Sequence, residues 1–487
     1  MGAGFLALLA PALIGAMPAE QRCAALAAHA PEGVSIETAG IVSGGVRTFD
    51  GKLIQTAPAC RIRGIARPTP RSRIGFELWL PRDRWNGRYY QLGNGGFAGN
   101  IDLPSLVAEV ARGNAAAITD TGHVADGFDA RWAADHPERV VDYGHRSIKA
   151  TSDAAQALIT AYYGHSPAHR YFVGCSNGGR QALMAAQRYP EDWNGVIAGA
   201  PANLWTRQLT SFAVVQHRLR AVPGAWIRPD LLPLIRKRAL ASCPAASVRN
   251  GIAIDPRLCP FDPAVLQCRG RAQSACLSAA QVESLAIIQA AGFEPTSATP
   301  ENWGRWIVNP DPAAPSQLTF ATQAFRHLLQ DRTDWAITAF EPDRDRASDA
   351  LRTILDADDT GFAPFRKRGG RILSYFGWDD AVISPRVGAD YYSRVSKRLG
   401  AKRTRDFYRL FMVPGMTHCQ GGPGAYAFGQ SLPAPALAGD RHHDIRRALE
   451  AWVERGVAPD MLVAARYRDE DPAKGVEARQ TLAPFAP

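Results

Sequence analysis

The chain has 487 residues, 46% of them hydrophobic and 21% charged, with a formal net charge of +10. That length accommodates one large domain with an insertion, or two to three ordinary domains, of soluble globular composition. Lys and Arg are scattered among turn residues, as in Arg366-Lys367-Arg368 and Lys402-Arg403-Thr404-Arg405, so the positive charge reads as solvated surface and no nucleic-acid partner is expected.

Phe5 to Ala16 is apolar, too short to span a bilayer, and ends among small residues. Residues 1–19 therefore read as a signal peptide, although no basic residue precedes the apolar run; a short buried N-terminal helix is the competing reading. No stable membrane association is expected. Residues 20–204 read as the first part of a core. From about 41 to 97 strands alternate with turns: Arg73 to Pro81 alternates, and Tyr89-Tyr90-Gln91-Leu92 leads into Gly93-Asn94-Gly95-Gly96. Ala115 to Thr119 is a compact strand candidate, and Ser147 to Tyr163 has the apolar spacing of an amphipathic helix. Tyr171-Phe172-Val173 predicts a strand and Gln181 to Gln187 a helix. Between them Gly174-Cys175-Ser176-Asn177-Gly178 fits the G-x-S-x-G elbow, in which small neighbours let a serine sit on a sharp turn. Gly195 to Ala200 is another short buried strand.

Residues 205–366 change character: helical runs mix with loops, four of the eight Cys and Trp303-Gly304-Arg305-Trp306. Residues 367–487 resume the earlier pattern, with strands at Arg371–Gly377 and Phe407–Val413, the second ending at Pro414-Gly415. His442-His443 opens a helix-like stretch ending in Ala451-Trp452-Val453 and reads as helix-surface polarity. The expected fold is an α/β-hydrolase core with a mainly parallel sheet, interrupted by a large inserted lid over 205–366.

A serine hydroxyl is a poor nucleophile until a base takes its proton, and that base needs an orienting carboxylate. In this fold class the order along the chain is Ser, acid, His, each on a loop after a strand. Downstream of Ser176, Asp379 or Asp380 follows one strand and His418 follows another; His123 and His145 precede the serine, out of order. The N–H of Asn177, with that of Gly95 or Gly96, would receive the tetrahedral oxyanion. The Cys residues are 23, 60, 175, 243, 259, 268, 276 and 419; none forms C-x-x-C and no His stands at zinc-finger spacing, so disulfides fit better than a structural zinc. Cys175 immediately precedes the serine and Cys419 immediately follows the histidine. If Ser176 and His418 meet, a Cys175–Cys419 bridge becomes feasible; the chain-entropy model assigns so long a loop roughly 5 kcal/mol.

These residues resemble the tannase and feruloyl esterase family, which also contains mono(2-hydroxyethyl) terephthalate hydrolase. The resemblance rests on Cys60-Arg61-Ile62-Arg63-Gly64, Trp85-Asn86-Gly87-Arg88-Tyr89, Gly93-Asn94-Gly95-Gly96-Phe97-Ala98-Gly99, Thr119-Asp120-Thr121-Gly122-His123, Gly174 to Arg180 and Pro414 to Cys419. It implies a triad of Ser176, Asp380 (the acid of Gly-Trp-x-Asp) and His418, with Cys175 bridged to Cys419. It also implies the pairs Cys23–Cys60, Cys243–Cys259 and Cys268–Cys276, secretion or a periplasmic location, and esters of galloyl, feruloyl or terephthaloyl type as substrates. The family's calcium loop is degraded in Cys243 to Ile252: Pro244, Ser247 and Asn250 stand where carboxylates are usual and Arg249 adds positive charge. No metal or other cofactor is therefore expected. Trp303, Trp306 and Phe325 would shape an aromatic acyl pocket or else fill the lid core, and Arg326 would meet a substrate carboxylate. The rival functions are a thioesterase or amidase with the same triad, and a non-catalytic aromatic-binding envelope protein.

Overall fold

The computed structural model describes residues 17–48, 51–270, 275–330 and 332–487. Of the expected signal peptide, residues 1–16 lie outside the described residues, and a helix begins at Ala19. In chain order the strands are β1 (Val34–Arg47), β2 (Leu53–Ala66), β3 (Ile74–Pro81), β4 (Arg88–Leu92), β5 (Ala115–Thr119), β6 (His169–Cys175), β7 (Gly195–Gly199), β8 (Val248–Arg249), β9 (Ile252–Ala253), β10 (Arg371–Gly377), β11 (Tyr408–Val413), β12 (Leu462–Tyr467) and β13 (Val476–Leu482). Nine of them form one sheet in the order β1-β2-β3-β5-β4-β6-β7-β10-β11. β1, β2, β3 and β5 pair antiparallel; every pairing from β5 to β11 is parallel.

Alternation along each strand feeds two cores, one per face of the sheet. Ala115 and Ala117 pack with Ile148, Leu158 and Leu183 on one side. Ala116 and Ile118 pack with Leu106, Leu449 and Trp452 on the other. The helix Ser147–Tyr163 has the bounds its apolar spacing predicts and ends at Gly164, whose φ of 81° is the left-handed cap that glycine adopts without penalty. The helix near the C-terminus starts later than its composition suggests. Asp444 caps Ile445–Arg455, and His442-His443 sits in the turn before it, where His443 Nδ1 pairs with Asp440.

Among the described residues, 205–366 contributes no strand to the nine-stranded sheet; β8 and β9 form a hairpin of their own. This inserted segment has its own packed interior, in which Trp303, Phe325, Trp335 and Phe340 are buried. Disulfides Cys243–Cys259 and Cys268–Cys276 close short loops within it, while Cys23–Cys60 ties the N-terminal helix to β2. A mostly parallel sheet covered by helices on both faces and interrupted after β7 is the α/β-hydrolase fold. The elbow and the two downstream loops all leave the C-terminal ends of neighbouring parallel strands, which is where such folds gather their sites.

Candidate active site

Ser176 stands between β6 and the helix Asn177–Arg188 with φ 63° and ψ −124°, a conformation that costs a non-glycine residue about 1–3 kcal/mol. Its surroundings impose that turn. A Cβ on Gly174 would lie 2.5 Å from the Gly178 backbone, and one on Gly179 would lie 2.2 Å from Gly199 O. Only glycine lets the helix start so close to β6 and β7. The backbone of Ser176 is bonded on both sides, its N–H to Gly199 O (2.9 Å) and its carbonyl to Ala202 N (3.1 Å).

The two downstream loops are stitched to each other. Trp378 N donates to Val413 O and Asp379 N to Met416 O, both at 3.0 Å. A Cβ on Gly377 would come within 2.0 Å of Met416 O, so glycine is required at that crossing. The result puts His418 Nδ1 2.8 Å from Asp380 Oδ2. Asp380 Oδ1 accepts from Val382 N (2.8 Å) and Ile383 N (2.9 Å), so both oxygens of this fully buried carboxylate are occupied. A carboxylate only accepts, so Nδ1 carries a proton, which in the neutral tautomer leaves the lone pair on Nε2. Asp379 points elsewhere. Its carboxyl accepts no hydrogen bond among the described residues, and burial pushes it up to about 7.

Cys175 and Cys419 are joined, with Cα atoms 6.0 Å apart across 244 residues of chain. The bridge ties the residue before Ser176 to the residue after His418. The Ser176 hydroxyl itself makes no hydrogen bond among the described residues, and such contacts commonly tighten only when substrate binds.

The Gly-rich loop after β4 lies beside the elbow. Gly93 N donates to Val173 O on β6, and Asn94 N is held by Gln181 Oε1 on the elbow helix, both at 2.9 Å. Gly96 has φ 54°, and a Cβ there would meet Gly127 O at 2.0 Å; a Cβ on Gly95 would meet nothing within 4 Å. Among the described residues the N–H groups of Gly95, Gly96 and Asn177 donate no hydrogen bond.

Tyr143, which motif reading passed over, and Arg180, the last residue of the elbow motif, brace this corner. The Tyr143 hydroxyl lies 3.1 Å from Gly96 O and 3.2 Å from Asn177 Oδ1. Arg180 is wholly buried; it donates from Nε to Asn177 Oδ1 (2.8 Å) and from Nη1 and Nη2 to the carbonyls of Gly144, Leu355 and Tyr143. His123 serves the same loop, with Nε2 2.9 Å from Phe97 O and burial holding the imidazole neutral at about 4. His145 is likewise held down to about 4 by burial, against Tyr189.

The expected pocket residues separate. Trp303 is buried with its indole N–H on Ser297 Oγ, Phe325 stacks on Trp335 at 4.8 Å, and Arg326 donates to Trp335 O (2.8 Å). Trp303 and Phe325 are buried interior packing of the inserted segment, whereas Arg326 stays partly exposed. Trp306 is partly exposed and lies 6.4 Å from Phe128. Phe128 in turn packs on Phe320 (5.0 Å), and Phe320 on Phe97 (5.4 Å), the residue after Gly96. An aromatic row therefore runs from the Gly-rich loop to Trp306. Composition had marked only its last member.

At the degraded calcium loop, Asn250 and Gly251 (φ 51° and 72°) form the tight turn of the β8–β9 hairpin, and the Asp255 carboxylate is taken by Arg257. Among the described residues no group of three or more His, Cys, Asp or Glu could hold a metal ion, and no helix is long and apolar enough to cross a membrane.

The family model for tannase and feruloyl esterase matches residues 60–303 and 292–485. An uncharacterized esterase of Xanthomonas campestris pv. campestris is 40% identical over 505 residues, covering 96% of this chain and 88% of that protein. The Aspergillus flavus protein named "Probable feruloyl esterase B-2" is 29% identical over 455 residues, covering 89% of this chain and 84% of its own. The crystal structure of an esterase from Aspergillus oryzae is similar at a TM-score of 0.86 and 26% identity, covering 96% of both chains.

Proposed function

The chain belongs to the tannase and feruloyl esterase family and is a carboxylic ester hydrolase, and within that class we propose that it cleaves esters of aromatic carboxylic acids through an acyl-enzyme on Ser176. His418 Nε2 takes the Ser176 proton as Oγ attacks the ester carbonyl. The N–H groups of Asn177 and of Gly95 or Gly96 receive the developing oxyanion. His418 returns the proton to the leaving alcohol; water, deprotonated by the same nitrogen, then releases the acid and restores Ser176. Asp380 keeps the imidazole in the Nδ1–H tautomer and stabilises the imidazolium formed in each half-reaction.

The observation that carries this reading is the 2.8 Å His418–Asp380 bond beside an elbow serine, with the Cys175–Cys419 bridge joining their neighbours. The partly exposed Phe128 and Trp306, at the outer end of the aromatic row, support a flat acyl group, and the family's named activities agree with it. The pairing of all eight Cys supports work in an oxidising compartment, outside the cell or in a periplasm.

In oxidised protein a fluorophosphonate should label Ser176 and leave the Ser176→Ala variant unmodified. A panel of gallate, ferulate, chlorogenate and hydroxyethyl-terephthalate esters should be turned over in preference to aliphatic esters, thioesters and anilides. Undiminished ester turnover by Ser176→Ala refutes the mechanism, and faster thioester or anilide cleavage moves the assignment to those classes.

A further inference from the structure

The loop that carries Asp380 runs from Gly377 at the end of β10 to Ser384, which caps the helix Pro385–Leu399. Its N–H groups are used within the core: Trp378 and Asp379 donate to the His418 loop, and Val382 and Ile383 donate to Asp380 itself. The carbonyls on either side of Asp380 are used differently. Asn302 Nδ2 donates to Asp379 O at 2.7 Å, and Gln317 Nε2 donates to Ala381 O at 3.0 Å. Both amides come from the inserted segment, and both are buried, Asn302 to 7% exposure and Gln317 to none. Asn302 is anchored in turn, its amide also reaching Ser297 O (3.2 Å) and its backbone N–H reaching Thr299 O (3.2 Å). Two further contacts from the same segment follow at once: the Ser384 hydroxyl donates to Gly292 O (3.0 Å), and Arg386 pairs with the buried Glu294. Contacts from residues 292–317 thus converge on 379–386.

A loop outside any strand or helix keeps its shape only if its peptide planes are held. The plane that carries Asp379 O leads directly into Asp380, and the plane that carries Ala381 O also carries the Val382 N–H that Asp380 Oδ1 accepts, so the two planes together set where the carboxylate points. Rotating either plane here leaves a buried amide N–H without its acceptor, which is unfavourable. We propose that Asn302 and Gln317 are positioning residues for the ester hydrolysis: by holding the peptide carbonyls on both sides of Asp380 they keep its carboxylate in register with His418. The inserted segment is then part of the support of the triad. The proposal rests on the reading of Asp380 as the residue that orients His418.

The test uses Asn302→Asp and Gln317→Glu, near-isosteric changes that replace the donating amide by oxygen, in the full oxidised chain. The expected result is a kcat lower by roughly 10- to 100-fold, the size of loss that a displacement of about 1 Å causes, with KM changed far less. The decisive measurement is a double-mutant cycle with Asp380→Asn, which by itself should cost roughly 10⁴-fold. A residue that acts through Asp380 has nothing left to do in that background, so the amide variants should add no further loss there.

Wild-type kcat in folded amide variants overturns the proposal, and so does a full, additive loss on top of Asp380→Asn. If the charged variants do not fold, Asn302→Ser and Gln317→Ser, which leave room for water, take their place; if these too fail to fold, the amides are structural and the proposal falls. If Asp380→Asn itself keeps wild-type kcat, the triad reading fails first. Loss in Asp380→Asn with no loss in the amide variants refutes this proposal alone.

Discussion

Asp379 and Asp380 are neighbours with opposite roles, and replacing the first by its amide separates them. The Asp379 carboxyl is buried, accepts no hydrogen bond among the described residues, and has Glu294 as a second negative charge nearby. Arg236 partly offsets this, but its guanidinium is already given to the carbonyls of Thr296 and Gly251. Burial therefore raises the group from 3.8 to about 7. The folded chain binds this proton more tightly than the unfolded chain, so the group's contribution is most favourable below the unfolded value. Stability is lost as pH rises through the window from about 4 to about 7, and the loss is complete above it. At 1.36 kcal/mol per pH unit that interval corresponds to roughly 4 kcal/mol. Asp379→Asn keeps the shape and removes the titration. Urea unfolding of the disulfide-intact wild type and variant at about pH 4.5 and about pH 8 should show the variant gaining on the wild type by several kcal/mol between the two conditions. Asp120, which burial also pushes up to about 7, titrates in both proteins and cancels in the comparison. A difference between wild type and Asp379→Asn that is the same at both pH values would refute the argument. Ester turnover at pH 7 should survive in Asp379→Asn and collapse in Asp380→Asn.

Removing the long bridge with Cys175→Ala and Cys419→Ala together should lower the urea midpoint by an amount equivalent to about 2–5 kcal/mol and reduce kcat; an unchanged kcat would mean the bridge does not hold serine and histidine together. Gly96→Ala should destabilise the chain by about 2 kcal/mol or more, since its Cβ would collide with Gly127 O at positive φ, while Gly95→Ala should unfold within about 0.5 kcal/mol of the wild type. Prolonged EDTA should leave the thermal midpoint and ester turnover unaltered; a fall reversed by calcium would show that the Cys243–Cys259 loop still binds metal.

Much of the architecture is legible along the chain because it is written in local pattern. Apolar runs bounded by turns predict β5 and β10 with their observed ends, apolar spacing predicts the helix Ser147–Tyr163, and small residues around Ser176 predict the strained turn. Each signal lies within one element, where neighbours in sequence are neighbours in space. The adjacency of Cys175 to Ser176 and of Cys419 to His418 is the exception: a covalent bridge turns two distant sequence positions into one place. Strand order was not legible, since the insertion of β5 between β3 and β4 depends on how crossovers pack, and neither was the C-terminal β12–β13 hairpin.

Only the folded chain decided which neighbouring aspartate meets the imidazole by geometry, that Trp303 and Phe325 fill an interior, and that Tyr143, Arg180, Asn302 and Gln317 brace the site. The reason is physical. Residue type announces what a side chain can donate, but those that brace the site through backbone carbonyls find an acceptor every residue carries, so no pattern in the sequence marks which one they will reach.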